Sequence, residues 1–141
     1  MTEEPIRFDT KIAVLVRDDL ETWQRLNVTA FLVSGIAGAH PQLMGEPYED
    51  ADGTAYLALL GQPVVVLEAD AATLTAAHER ALGRGLAMSI YTQDMFSTGN
   101  DLANRAVVRA VARADLDLVG IAVHGPRNGV DRTVKGSRLH P

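Results

Sequence analysis

The sequence predicts a single α/β domain, a three-layer sandwich in which a four-stranded mixed sheet is flanked by helices, with a small hairpin excursion at about 43–60. Two observations predict this class. Short apolar runs rich in β-branched residues alternate with stretches of helical periodicity, the pattern of strands and helices that share one sheet. The 141 residues have the size of one domain, and no linker or internal repeat divides them, so residues 1–141 form one unit.

The first strand and the first helix occupy residues 11–39. Residues 11–17 read KIAVLVR, a continuous apolar run typical of a buried strand. Asp18 and Asp19 follow as good N-cap residues, and nearly every residue from 20 to about 39 is apolar or small. Since apolar side chains cover almost all sides of this helix, we expect it to be largely buried, in part at a subunit interface. Pro41 disfavours helix at the residue before it and ends the element.

The second half of the pattern supplies the remaining strands and helices. Asp52-Gly53 suits a tight turn and places a β-hairpin inside the excursion. Apolar runs and helical spacing then predict strands over 63–68, 86–92 and 116–123, and helices over about 70–82 and 103–114. This β-α-(hairpin)-β-α-β-α-β order favours parallel pairings. The basic segment after residue 124 is expected at an edge of the sheet.

Composition and charge narrow the classes of function. The chain lacks cysteine, which excludes disulfides and thiolate metal sites, and it has no stretch of about 20 apolar residues that could span a bilayer. The polar, acidic N-terminus does not resemble a signal peptide, so a cytoplasmic location is expected. A net charge of −5 disfavours a nucleic-acid partner, although tRNA is not excluded. The one basic cluster is interpreted as a solvated tail: Arg127, Arg132, Lys135 and Arg138.

The segment from Tyr91 to Asn100 is the most informative for chemistry, because it places carboxylate, amide and hydroxyl groups in a loop after a strand. Asp94 is a candidate base, and Thr98 is a candidate hydrogen-bond donor to an oxyanion. The alternative is a plain helix-entry loop in which Ser97, Thr98 or Asn100 caps the next helix. On spacing alone the capping role is favoured.

The first helix contributes a second group of candidates. Asn27 is a polar residue on the same helical face as Trp23, Phe31 and Ser34. A buried amide needs hydrogen-bond partners, so Asn27 either faces a pocket or ties the helix to a neighbouring backbone. The four histidines are scattered without metal-ligand spacing, and no glycine-rich phosphate loop follows the first strand. We therefore predict no metal and no cofactor.

Several motifs together resemble the type II peptidyl-tRNA hydrolase superfamily. The opening KIAVLVRDDL is similar to the family's apolar strand that ends in Arg-x-Asp-Leu. Residues 94–98 resemble its Asp-Ala-Gly-x-Thr loop, and residues 130–139 resemble its final motif. In the helix motif Gly-Lys-(apolar)-Ala-Ala-Gln, Asn27 stands at the Lys and Phe31 at the Gln. The resemblance implies a peptidyl-tRNA hydrolase II-like fold with Asp94 and Thr98 at site positions.

A closer likeness is to an uncharacterised bacterial branch of that superfamily, the domain-of-unknown-function family two thousand. This resemblance accounts for the hairpin and for the helix after Thr98, which are foreign to the hydrolase. It is carried by Asp19-Leu20, Trp23-Gln24, Leu26-Asn27-Val28, the Asp50-Ala51-Asp52-Gly53 turn, Met95-Phe96, Asn104-Arg105 and Val119-Gly120.

Two functional hypotheses follow. The first is a hydrolase acting on an ester or amide bond of unknown substrate, with Asp94, Thr98 and Asn27 as catalytic residues. The alternative is a non-catalytic, homodimeric module that binds an unknown small molecule. Asn offers only neutral hydrogen bonds where Lys offers a cation, which favours a different ligand from that of the hydrolase. The residues predicted to bind the ligand are Trp23, Phe31, Phe96 and Ser97.

Overall fold

The computed structural model describes residues 6–141 and contains four α-helices and seven strands over that range. Within those residues, none of the helices has the length and apolar character needed to cross a bilayer. The strands are β1 (Thr10–Arg17), β2 (Tyr48–Glu49), β3 (Ala55–Tyr56), β4 (Val64–Ala69), β5 (Ala87–Thr92), β6 (Leu118–Pro126) and β7 (Arg138–Leu139). The helices are α1 (Thr22–Ala39), α2 (Ala71–Arg84), α3 (Asp101–Arg109) and α4 (Arg127–Thr133).

The main sheet has five strands in the order β5-β6-β1-β4-β7, so the prediction of four strands is wrong. The additional strand, β7, has only two residues and both are exposed, which leaves no apolar run to reveal it. Its pairing with β4 joins Leu67 to Leu139 and Glu68 to Arg138. The last part of the basic segment therefore lies at the sheet edge, as expected from the sequence. Residues 127–133 of the same segment form α4 and pack on a face of the sheet, so the expectation is wrong for them.

The sheet is mixed, with one parallel and three antiparallel pairings. Only β1 and β4 run parallel, with Val14 opposite Val66. The pairs β1–β6, β5–β6 and β4–β7 are antiparallel. Because β5 and β6 are antiparallel neighbours, the end of β5 and the start of β6 lie at the same end of the sheet. The connection that carries α3 therefore does not need to cross a face of the sheet. The expected general preference for parallel pairing is therefore wrong for β6.

Helices cover both faces of the sheet, and alternate β1 residues serve the two layers. Ile12, Val14 and Val16 face α1 and pack with Val28 and Leu32. Ala13 and Leu15 face α2 and α4. This alternation follows from the two-residue period of a strand and gives the three layers predicted from the sequence.

Helix α1 is less buried than its sequence suggests. Val28, Leu32 and Ile36 are buried against the sheet, whereas Leu26 is 68% exposed and Phe31 is 54% exposed. An apolar residue at nearly every position hides which face turns inward, so helical periodicity alone could not identify it. The helix begins after Glu21 rather than after Asp18 or Asp19.

Two glycines set how closely α1 approaches the sheet. A Cβ placed on Gly120 of β6 would lie 2.7 Å from Val28 Cγ1 and 3.0 Å from Leu32 Cδ1. A Cβ on Gly35 would lie 3.1 Å from Ser89 Cβ on β5. Ser89 Oγ also donates to the main-chain oxygen of Leu32, 2.8 Å away. The helix therefore rests directly on β5 and β6, which fixes its position on the sheet.

The predicted hairpin is present as the pair β2–β3, with Tyr48 opposite Tyr56. Gly53 has a φ of 84°, the left-handed conformation that glycine adopts without penalty. The Asp50 carboxylate accepts hydrogen bonds from the Thr54 N–H at 2.9 Å and the Tyr56 hydroxyl at 2.8 Å. These bonds, the Thr54 N–H foremost, hold the pKa of Asp50 below its ordinary value. The Asp50 carboxylate thus closes the turn.

The C-terminal strand is held by an ion-pair cluster around Glu68. The Glu68 carboxylate is 9% exposed and accepts from Arg25 Nη1 and Arg138 Nε, each at 2.9 Å. Arg138 Nη2 also donates to Asp18 at 3.0 Å. Arg138, one of the four residues of the predicted basic tail, is therefore a structural link between β7 and the sheet. Arg138 is exposed to solvent, as the interpretation of a solvated tail expects, but it belongs to a paired strand rather than to a tail.

Candidate functional site

A cleft opens beside the carboxyl end of β5, where α1, α3 and the 3-10 turn Gln93–Ser97 meet. We call it the aromatic–amide cleft. Its volume is about 310 Å³, within the range of small-molecule sites. Its walls are formed by Trp23, Asn27, Phe31, Tyr91, Met95, Phe96, Thr98, Gly99, Asn100, Asp101 and Asn104.

The 3-10 turn that forms one wall is tied to the centre of the sheet. The Gln93 N–H donates to the main-chain oxygen of Asp117 at 2.9 Å. Arg17, the last residue of β1, donates through Nη1 to Asp117 at 2.8 Å and to the main-chain oxygen of Leu118 at 3.0 Å. These bonds link the turn to β1 and β6, so the wall has a fixed position relative to α1.

Four of the seven aromatic residues of the chain converge on this cleft. Trp23 meets Phe96 edge to face with ring centroids 5.9 Å apart, and Phe96 lies 5.2 Å from Tyr91. Tyr91 lies 6.0 Å from Phe31. Tyr91 is 5% exposed, but Trp23 and Phe31 are more than half exposed. Exposed aromatic rings gathered at one cleft are typical of a surface that contacts another molecule.

The orientation of Trp23 is fixed from the base of its helix. Its indole Nε1 donates to the Glu21 carboxylate at 2.7 Å. The main-chain N–H of Glu21 donates to the Gln24 side-chain oxygen at 3.0 Å. The ring therefore stands at the rim of the cleft in a defined pose, with more than half of its surface exposed.

Side-chain amides supply the polar groups of the cleft. Asn27 Nδ2 lies 3.4 Å from the Tyr91 hydroxyl, a long and weak hydrogen bond. The Asn100 Oδ1 caps α3 by accepting from the Ala103 N–H at 2.8 Å. The Nδ2 group of Asn100 takes no part in the cap. Asn104 lies on the inward side of α3 and contacts Thr98 through its Oδ1. The cleft thus presents amide donors and acceptors next to flat apolar rings.

Thr98 lines the cleft, and its hydroxyl is held by neighbouring groups. Thr98 Oγ1 lies 2.9 Å from the main-chain oxygen of Met95 and contacts Asn104 Oδ1. A hydroxyl has a single hydrogen to donate, so one of these oxygens receives it. The oxygen of Thr98 keeps the capacity to accept from a bound molecule. Its role as an oxyanion donor stays a prediction.

The electrostatic character of the cleft is close to neutral. Among residues 6–141, the side chains that form its walls include one charged group, Asp101, and neither Lys nor Arg. The Asp101 carboxylate forms an i,i+4 ion pair with Arg105. Within those residues no three His, Asp or Glu side chains come together as a metal site. The arrangement suits an uncharged molecule held by stacking and hydrogen bonds.

The structure brings together five of the seven site residues predicted from the sequence. Asn27, Trp23, Phe31, Phe96 and Thr98 all line the cleft.

Asp94 and Ser97 are exposed on the 3-10 turn and are not among the cleft-lining residues of the part of the chain that the structure describes. Their roles in catalysis and ligand binding stay predictions. Asn100, one of the three capping candidates, is the N-cap of α3.

Two residues of the site were not identified from the sequence. Tyr91 is the last buried aromatic residue of β5 and links the rings of α1 to those of the turn. Asn104 reaches the cleft from α3. Its position one turn after the Asn100 cap is the signal that would have indicated it, because residues four apart lie on the same helical side.

The chain is similar to known sequences and structures of undetermined activity. The family model described as "Protein of unknown function (DUF2000)" matches residues 10–141. A solved structure of a protein of unknown function from Agrobacterium tumefaciens is 46% identical, with a TM-score of 0.93. That match covers 96% of this chain and all of the other. No curated protein matches the chain. The likeness to peptidyl-tRNA hydrolases therefore stays a prediction.

Proposed function

The chain belongs to the DUF2000 family of proteins of unknown function, and we propose that it binds an uncharged small molecule in the aromatic–amide cleft. The observation that carries this proposal is the gathering of four aromatic rings and three side-chain amides around about 310 Å³. Small-molecule sites combine mostly apolar walls with a few polar groups that fix orientation. The cleft has this composition.

The ligand chemistry follows from the walls. Trp23 and Phe31 offer flat faces that favour a planar ring. Asn27 and Asn104 offer amide groups that favour a ligand with its own amide or hydroxyl. A phosphate or carboxylate would lose hydration without meeting a cation in the cleft walls of residues 6–141, so an uncharged ligand is favoured.

The single tryptophan of the chain allows a direct test, because Trp23 stands at the rim of the cleft. Binding can be followed by Trp23 emission during titration with benzamide, nicotinamide and adenosine. We expect a saturable change in emission with at least one of these rings. Benzoate, which has nearly the shape of benzamide but a negative charge, is expected to bind more weakly.

Variants connect the signal to the cleft. Asn27→Ala is expected to weaken binding of the responding ring, whereas Asn128→Ala, an exposed asparagine on α4, is expected to leave it unchanged. If none of the three rings produces a saturable change in emission, the proposal is wrong. Equal weakening by both variants would likewise contradict it, since only Asn27 lines the cleft.

A second proposed function is hydrolysis of an ester or amide bond. Asn27 and Thr98, two of the three predicted catalytic residues, line one cleft, and Asp94 lies on the adjoining turn. Asp94 would act as the base for an attacking water, and Thr98 and Asn27 would contact the reacting carbonyl. The test is turnover of peptidyl-tRNA and of p-nitrophenyl acetate, with Asp94→Ala as the variant. Turnover that matches a buffer control, or that is unchanged by Asp94→Ala, rules out this proposal.

We also propose that the protein forms a homodimer through the exposed side of α1. Leu26 is 68% exposed, and residues 26–39 carry no charged side chain. Solvent-exposed apolar surface of this kind is costly unless another surface covers it. Light scattering is expected to give a mass of about twice 15.1 kDa, reduced to one chain by Leu26→Glu. A single-chain mass for the unaltered protein at all concentrations would exclude the dimer.

A further inference from the structure

A second cavity lies on the opposite face of the sheet, between α2 and the 3-10 turn Arg113–Asp115 that precedes β6. Its volume is about 250 Å³. It is separated from the aromatic–amide cleft by the sheet, and the two share no lining residue. Its walls are formed by Thr75, His78, Glu79, Arg113, Ala114, Leu116 and Leu118.

His78 is the unusual group in this cavity. The residue is 5% exposed, and neither ring nitrogen has a hydrogen-bond partner within residues 6–141. Among the side-chain nitrogen and oxygen atoms of that range that lack a hydrogen-bond partner, only His124 Nε2 is fully buried. The ring nitrogens of His78 therefore keep some access to solvent. Burial lowers the pKa of His78, and the Arg113 guanidinium lowers it further, so the imidazole is neutral near pH 7. A neutral ring has one donor and one acceptor to satisfy.

Two neighbouring groups complete a set of donors. Arg113 is exposed at the rim and forms no ion pair with any carboxylate of the described part of the chain. Thr75 precedes His78 by three residues on α2, so its hydroxyl lies on the same helical side. A guanidinium, a hydroxyl and an imidazole around one cavity can all donate to oxygen atoms.

We infer that this cavity binds a small carboxylate, which Arg113 holds through two oxygens while His78 and Thr75 donate to them. The ligand is a monoanion because Glu79 also lies in the wall and repels additional negative charge. A carboxylate fits better than a phosphate for that reason, and because Leu116 and Leu118 provide an apolar surface for a short carbon substituent. The inference does not depend on the function proposed for the aromatic–amide cleft.

The test is an NMR titration that follows the ring nitrogen resonances of His78 in the full chain. Sodium acetate and sodium lactate are the probes, with sodium chloride at equal ionic strength as the reference. We expect a saturable shift of the His78 signals with at least one carboxylate and none with chloride. Sodium phosphate is expected to bind more weakly than either carboxylate.

Two variants test whether Arg113 holds the carboxylate. Loss of a charged hydrogen bond typically weakens binding by about tenfold or more, so Arg113→Gln is expected to have that effect. Arg84→Gln removes the same charge from an exposed site at the end of α2 and is expected to leave binding unchanged. Because Arg113 is exposed, its replacement should not impair folding. An unsaturable response of the His78 signals, an equal response to chloride, or equal weakening by the two variants overturns the inference.

Discussion

Replacement of Trp23 by alanine separates binding from stability. The side chain is 56% exposed, and its contacts with the protein include an edge-to-face pair with Phe96 and a hydrogen bond to Glu21. About 90 Å² of a side chain of roughly 200 Å² is therefore buried, which contributes about 2 kcal/mol at about 25 cal/mol per Å². The aromatic pair adds about 1 kcal/mol, so the free energy of unfolding should fall by about 3 kcal/mol, less than the roughly 5–15 kcal/mol of a stable domain. The protein should therefore remain folded.

The effect of the same substitution on binding can be worked from the exposed area. A tryptophan side chain of roughly 200 Å² that is 56% exposed leaves about 110 Å² available. A ligand that covers about half of this area gains about 1.4 kcal/mol at about 25 cal/mol per Å². That free energy corresponds to about tenfold in the dissociation constant. Trp23→Ala should weaken binding of a planar ligand such as benzamide by that factor.

The assay is an NMR titration of the unaltered protein and the variant with benzamide, together with urea denaturation of both. Leu102→Ala is the matched control, since Leu102 is 72% exposed on α3 and lies outside the cleft walls. Unchanged affinity of the Trp23 variant would refute the reasoning about the exposed ring. A loss of more than about 5 kcal/mol in the free energy of unfolding, the upper end of the range for truncation of a core aromatic residue, would refute the reasoning about stability.

Three further predictions concern the framework of the site. Gly120→Ala places a Cβ 2.7 Å from a valine methyl group of α1 and should lower the free energy of unfolding by about 1–3 kcal/mol in urea denaturation. Gly38→Ala should not lower the free energy of unfolding, because its Cβ meets no atom within 4 Å. An equal loss of stability in the two variants would contradict the close approach of α1 to the sheet. Glu68→Gln removes the carboxylate that pairs with Arg25 and Arg138, and it should lower the free energy of unfolding by about 3 kcal/mol. An unchanged melting temperature would contradict a stabilising role of this ion-pair cluster. Burial lowers the pKa of both His78 and His124 in the folded protein, so the unfolded chain binds more protons as the pH falls below about 6.5. Their contribution to stability is therefore complete above that pH and decreases below it; a melting temperature that rises on acidification from pH 7 to pH 6 would show the opposite sign.

Much of the fold was predictable because buried strands and amphipathic helices leave strong patterns. The runs around β1, β4, β5 and β6 were all identified, and so were α1, α2, α3 and the hairpin. The strand β7 was not identified, because its two residues are exposed and form no apolar run. An ion pair between Arg138 and Glu68 holds it in place, and the sequence does not show that contact. The exposure of Leu26 was also missed, because a helix with apolar residues on every side does not indicate which of them meets the sheet.

The site was predictable in part. Asn27 was noticed as a polar residue among apolar neighbours, and the structure places it beside Phe31 and Thr98 in one cleft. Tyr91 belongs to a strand, and the sequence does not show that its ring joins those of two other elements. The distance of Asp94 from the cleft depends on how the 3-10 turn is oriented, which is decided by contacts with Asp117 that are remote in sequence.

The most direct measurement is a crystal structure of the protein soaked with benzamide. Binding in the aromatic–amide cleft predicts density for the ring against Trp23 and Phe31, with its amide within hydrogen-bond distance of Asn27 or Asn104. Strong benzamide density at another surface, with the cleft holding only water, would contradict the proposal that this cleft is the ligand site.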